Sequence, residues 1–128
     1  FIVQLADITE MKRNEEHMQR MAFHDTLTDL ANRRLFTDRL EQAIAHTLRN
    51  DGCAALLYLD LDDFKRVNDM LGHEAGDELL REVARRLTHC VRAEDTVARP
   101  GGDEFTILLY DISAPGDAGT VAEKILTR

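Results

Sequence analysis

Apolar positions recur along this chain with a period that changes from segment to segment. Residues 1–6, led by Phe1, Ile2 and Val3, read as the tail of a β-strand belonging to something upstream. Asp7, with Glu10 three residues on, has the form of a helix start. Beyond it Ile8, Met11, Met18 and Ala22 keep a three–four spacing that Glu15 interrupts, which fits a short coiled-coil seam or a solvated amphipathic linker equally well. Phe36, Leu40, Ala43 and Ile44 mark one face of a further helix that ends near Asn50-Asp51-Gly52. Residues 54–59 are apolar without alternation, the pattern of a strand buried on both faces. A short helix over 64–71 stops at Gly72, and a longer one follows with Leu80, Val83, Ala84, Leu87 and Val91 on one stripe. Residues 96–98 and 104–110 read as two strands joined across Gly101-Gly102. Val121, Ala122, Ile125 and Leu126 belong to a final helix. This order predicts an α/β or α+β sandwich, with a central sheet containing antiparallel pairs and flanked by helices.

Composition narrows the function more than the fold. With 44% hydrophobic and 31% charged residues, the 128-residue chain has the make-up of an ordinary globular domain plus a short extension. The formal charge of −8 argues against a nucleic-acid binder held by a basic face and leaves a nucleotide substrate open, since a divalent cation can stand between carboxylates and phosphates. No segment is long enough for a membrane helix or a signal peptide, so this segment is expected to be cytoplasmic and without direct membrane contact, although a longer parent could be membrane-anchored. Cys53 and Cys90 lack any metal-ligand or C-x-x-C spacing and read as two reduced thiols.

Chemistry-bearing residues concentrate in three places. Asp60-Leu61-Asp62-Asp63-Phe64-Lys65 stands where the apolar strand gives way to a helix, the end at which open sheets place their ligands. Carboxylates there suit a hard cation, and the following helix start offers N–H groups to phosphate oxygens. Asp62 and Asp63 also suit simple helix caps, a role that explains Asp60 less well. Gly101-Gly102-Asp103-Glu104-Phe105 sets two carboxylates at a hairpin mouth; alone, it is an ordinary acidic turn. Between them, Asn68-Asp69, Gly72-His73 and Gly76-Asp77 combine amide and carboxylate groups able to read a purine edge with the caps and stops of two helices.

Taken together and in this order, these motifs resemble the GGDEF family of diguanylate cyclases, as does the upstream Asp25-Thr26-Leu27-Thr28-Asp29-Leu30-Ala31-Asn32-Arg33-Arg34. The resemblance runs from residue 25 to 128. It implies a nucleotide-cyclase or polymerase-palm-like fold and a metal-dependent transferase. Such an enzyme condenses two GTP into cyclic di-GMP, a bacterial second messenger, and releases two pyrophosphates. It also implies site roles: Asp60, Asp103 and the Leu61 carbonyl on Mg2+ or Mn2+; Asn68 and Asp77 on guanine, with His73 nearby; Phe64 N–H and Lys65 on the phosphates. Asp103 would accept the proton of the attacking 3′-hydroxyl, with Glu104 assisting the metal or supporting the turn.

One domain of this family holds one GTP, so the resemblance implies a homodimer. Arg92-Ala93-Glu94-Asp95, shortly before Gly101, matches the family's inhibitory R-x-x-D site for cyclic di-GMP, although a surface salt bridge has the same look. Residues 1–24 then read as the end of a PAS-like sensor domain with its helical linker, and 25–128 as a GGDEF domain incomplete at its C-terminus. Two features depart from the family pattern: Pro100 replaces a large apolar or aromatic residue, and the expected later strands and basic helix lie beyond Arg128. A degenerate module that binds GTP or cyclic di-GMP and regulates a neighbour is therefore the alternative reading.

Overall fold

The computed structural model describes residues 2–126. α1 (Ile2–Phe23) and α2 (Arg33–Asn50) lead into β1 (Cys53–Asp60), then α3 (Phe64–Leu71) and α4 (His73–Cys90), the hairpin of β2 (Thr96–Gly101) and β3 (Glu104–Ile112), and α5 (Gly116–Leu126). The fold is α+β, and its three strands form one antiparallel sheet in the order β1-β3-β2. No helix among the described residues is long and apolar enough to cross a membrane.

Two sequence expectations are corrected here. Ile2 to Ala6 are helical, and Asp7 lies inside α1 rather than at its start. No described strand pairs with this segment, so its backbone groups are satisfied by helical bonds instead. Phe1 lies outside the described residues. The second correction concerns β1, which is an edge strand with Tyr58 77% exposed, not a strand buried on both faces. The central strand is β3. Phe105, Ile107 and Leu109 join Leu80, Ala84, Leu87 and Val97 in one core. Leu108 on the opposite face packs with Phe36, Ala43 and Ala98. Antiparallel hairpin pairing inserts β3 between its two partners, and the 3.6-residue stripe of α4 seals one face.

Local chemistry sets the element ends. Asn32 Oδ1 accepts from Leu35 N at 3.0 Å and caps α2, whose other end closes on Asp51 in the left-handed region, φ 50°. Asp63 precedes α3 with φ 61° and makes no side-chain cap bond, so the cap role suggested for it is not filled. On α1, Met11 and Met18 stand 69% and 70% exposed, which suits the coiled-coil seam and the solvated linker alike.

Candidate active site

The site begins with a register. In the β1–β3 ladder Asp60 is the partner of Glu104, and in the hairpin Glu104 is the partner of Gly101. Gly102 and Asp103 therefore form a two-residue loop, with Gly102 at φ 54°, where a glycine is at ease. This brings the Asp103 carboxyl against Asp60. The Asp60 carboxyl is pushed above its ordinary value, first by the negative charge of Asp103, then by burial and by a hydrogen bond to Asp103, with Glu104 and Asp62 adding to it. Two carboxylates brought this close have the donor chemistry of a hard-metal site. Among the described residues no three His, Cys, Asp or Glu side chains converge into a complete protein cage. The residues fit a magnesium-type ion, which takes one or two carboxylates and fills its remaining positions with water and phosphate.

From Asp60 the chain turns directly into α3. Leu61 and Phe64 both turn their side chains toward the core, leaving their backbone groups as what they can offer a ligand. Lys65 is exposed on the first turn of α3. Asn68 lies in the second turn of α3, its carbonyl accepting from Gly72 N at 2.9 Å, and its side chain lies against Gly76 in the first turn of α4. Asp77 follows at once, half-buried, and His73 is exposed at the start of the same helix.

The R-x-x-D pair is built differently. The Asp95 side chain is 2% exposed and accepts from Arg92 N and Tyr110 N, each at 2.9 Å. Arg92 Nη2 donates to the Tyr110 carbonyl at 2.9 Å, and its guanidinium also faces Glu94 at 3.2 Å. Asp95 thus joins the end of α4 to β3, while the guanidinium borders a cavity of about 340 Å³ shared with Asp117 and Lys124.

Sequence reasoning missed Arg99. Its Nη1 meets the Asp25 carboxylate at 2.9 and 3.1 Å, and its Nε donates to the Gly102 carbonyl at 2.9 Å. Asp25 also accepts from the Thr28 hydroxyl at 2.7 Å and from Thr28 N at 2.9 Å. Burial works to raise the Asp25 pKa, but the Thr28 bonds and Arg99 outweigh it and hold the carboxyl below its usual range. One guanidinium therefore ties the turn after α1 to the loop that carries Asp103. The available signal was a lone Arg two residues before Gly101, opposite an Asp 74 positions upstream. Nothing local pairs them.

The family model for the diguanylate cyclase GGDEF domain matches residues 22–128. The chain belongs to the GGDEF family. It is 52% identical over 120 residues to the bifunctional diguanylate cyclase/cyclic di-GMP phosphodiesterase MucR of Pseudomonas aeruginosa, covering 94% of this chain and 17% of MucR. It is 42% identical over 122 residues to the cyclic di-GMP phosphodiesterase PdeR of Escherichia coli, covering 95% of this chain and 18% of PdeR. This GGDEF chain thus spans under a fifth of the length of either relative. Among solved structures it resembles the coiled coil and GGDEF domain of DgcB from Caulobacter crescentus, in complex with c-di-GMP. The TM-score is 0.85 at 33% identity, covering 95% of this chain and 63% of that one.

Proposed function

We propose that this chain carries the catalytic half-site of a diguanylate cyclase, active as a homodimer in the cytoplasm. The observation that supports it most is the meeting of Asp60 and Asp103 across the hairpin register, with the Asp60 carboxyl raised by its neighbour. Each 3′-hydroxyl attacks the α-phosphorus of the other GTP. A new O3′–P bond forms, the bond to the β-phosphate bridging oxygen breaks, and pyrophosphate leaves. Asp103 is suited to take the hydroxyl proton, because the Arg99 contact to Gly102 holds its loop in place. Asp60, Asp103 and the Leu61 carbonyl would hold Mg2+ or Mn2+, which supplies charge neutralisation for the phosphates when bound. Phe64 N–H and Lys65 face the phosphates from the start of α3, where Asp63 leaves the first N–H groups without a side-chain cap. Asn68 and Asp77 read the guanine, His73 stands beside it, and Glu104 supports the metal or the turn. One half-site holds one nucleotide, so closing the ring takes two copies. The exposed Met11 and Met18 on α1, within residues 1–24 as the end of a PAS-like sensor domain and its helical linker, suit that pairing. Arg92, with Asp95 fixing its loop, is the receptor for product as inhibitor.

The similarity to PdeR, whose name records a phosphodiesterase, supports a second reading: a module that binds GTP or cyclic di-GMP and regulates a neighbour. Turnover of GTP with and without magnesium, in the full chain and in Asp103→Asn, separates the two. Cyclic di-GMP from the parent alone is the expected result. Nucleotide binding with no product from either protein sinks the cyclase and favours the module.

A further inference from the structure

Gly76 has no conformational reason to be glycine. It is buried within the first turn of α4, its N–H reaches the Gly72 carbonyl at 3.2 Å, and the described glycines with positive φ are Gly72 and Gly102. A glycine inside a helix with ordinary φ is a poorer choice than alanine. What it provides is a seat. A Cβ built at position 76 would overlap Asn68 Oδ1 and stand 2.9 Å from Asn68 Cγ and 3.5 Å from Nδ2, and these are its three nearest atoms. Among the described residues no hydrogen bond holds the Asn68 amide. Its orientation is set by packing on the bare backbone of residue 76, one position before Asp77. An asparagine side chain has two torsions and few rotamers, so a methyl group in that seat moves the amide as a unit.

We propose that Gly76 is a positioning residue for nucleobase selection: its missing side chain sets the pose in which Asn68, beside Asp77, presents its amide to the base. This rests on the reading of Asn68 as a guanine-binding residue. A base-reading amide turned away leaves polar groups of the guanine edge unpaired, which weakens guanine recognition more than it slows phosphoryl transfer. The colliding atoms belong to a side-chain end rather than to backbone, so alanine is accommodated by the fold while Asn68 gives way.

The test is a double-mutant cycle in the full chain with Gly76→Ala, Asn68→Ala and the double variant, reading KM and kcat for GTP, the preference for GTP over ATP, and thermal melts. For G76A we expect KM raised by about tenfold, kcat changed far less, a narrowed GTP preference and a melt at or above the parent's. In the Asn68→Ala background, G76A should add nothing to KM. An unchanged KM in G76A while Asn68→Ala raises it overturns the proposal, as do additive effects in the double variant. A G76A melt well below the parent's also overturns it, because the clash has then reached the helix packing. An unchanged KM in Asn68→Ala instead removes the guanine reading on which the proposal stands.

Discussion

At the scale of single residues, the site is organised by two carboxyls pulled in opposite directions. Asp60 is raised because its first influence is the like charge of Asp103; Asp25 is lowered because the Thr28 bonds and Arg99 overcome its burial. A raised carboxyl contributes stability below its unfolded value of 3.8, which is lost and becomes a cost as the pH climbs through the folded value. Asp60→Asn should therefore melt above the parent at about pH 7 in metal-free buffer, with the gain shrinking as the pH approaches about 4, while cyclic di-GMP formation is lost. Parallel melts of both proteins across that range decide it; a variant that melts lower at neutral pH contradicts the like-charge account. Asp25 has the reverse sign. Its contribution is present above 3.8 and lost as the pH falls through the lowered folded value. Asp25→Asn leaves the half-buried Arg99 without its carboxylate and should cost roughly 1–3 kcal/mol in urea unfolding at neutral pH. It should also slow turnover, because Arg99 no longer holds Gly102 from a fixed direction. Equal turnover in variant and parent would remove Arg99 from the positioning of Asp103.

At the scale of elements, the β2–β3 hairpin is the sensitive part. Its loop has Gly102 at φ 54°, whereas a Cβ at Gly101 meets nothing within 4 Å and Gly101 has no positive φ. The two glycines therefore differ in what they tolerate. Gly102→Ala should cost about 1–2 kcal/mol through the left-handed backbone, and Gly101→Ala distinctly less, both read from chemical denaturation. Equal losses would mean that the loop is held by something other than the conformation of residue 102. Pro100 lies where the β2–β3 register shifts, between Ala98 and Gly101, and Gly101 still pairs with Glu104. The departure from the family pattern thus falls in a stretch of the strand that is already irregular, where the missing N–H matters least.

At the scale of the whole molecule, α1 meets the domain, among the described residues, through the turn over 24–32 and the start of α2. Arg20 forms a two-point ion pair with Asp29, Asn32 Nδ2 donates to the Ala22 carbonyl at 2.9 Å, and Arg34 lies over the Phe23 ring at 5.3 Å. The same turn enters the sheet where Arg99 N donates to the Ala31 carbonyl at 3.0 Å. If two copies pair along α1, the exposed methionines carry the contact. Met11→Glu combined with Met18→Glu should then lower the dimer fraction in sedimentation and lower turnover per domain, leaving the domain's melt nearly unchanged. A dimer of undiminished strength would place the interface elsewhere. Arg20→Ala should change stability by no more than about 1 kcal/mol, because both partners of that pair are exposed.

Much of this was legible in sequence because it depends on local rules. The 3.6-residue stripe of α4, the stop at Gly72, the hairpin across Gly101-Gly102 and the acidic residues at the strand ends all follow from spacing and turn chemistry. An ordered set of motifs identified the family without any knowledge of contacts. Strand order was not legible. The runs 54–59 and 105–109 are both apolar, and only pairing shows that β3 lies between its partners while β1 is an edge. Residues 2–6 open on the β-branched Ile2 and Val3, yet Gln4, Leu5 and Ala6 are good helix formers, and with no described strand beside it the segment joins α1. Side-chain relationships across long separations were hidden for the same reason. The Arg99–Asp25 pair and the bond from Tyr110 N to the buried Asp95 each join residues whose local sequence gives no sign of the other. Composition and periodicity determine which elements form and what chemistry they carry, since both act through neighbours in the chain. Only the tertiary fold determines which of those groups share a metal-type site, a cavity or a seat, since those relations exist only once distant segments pack.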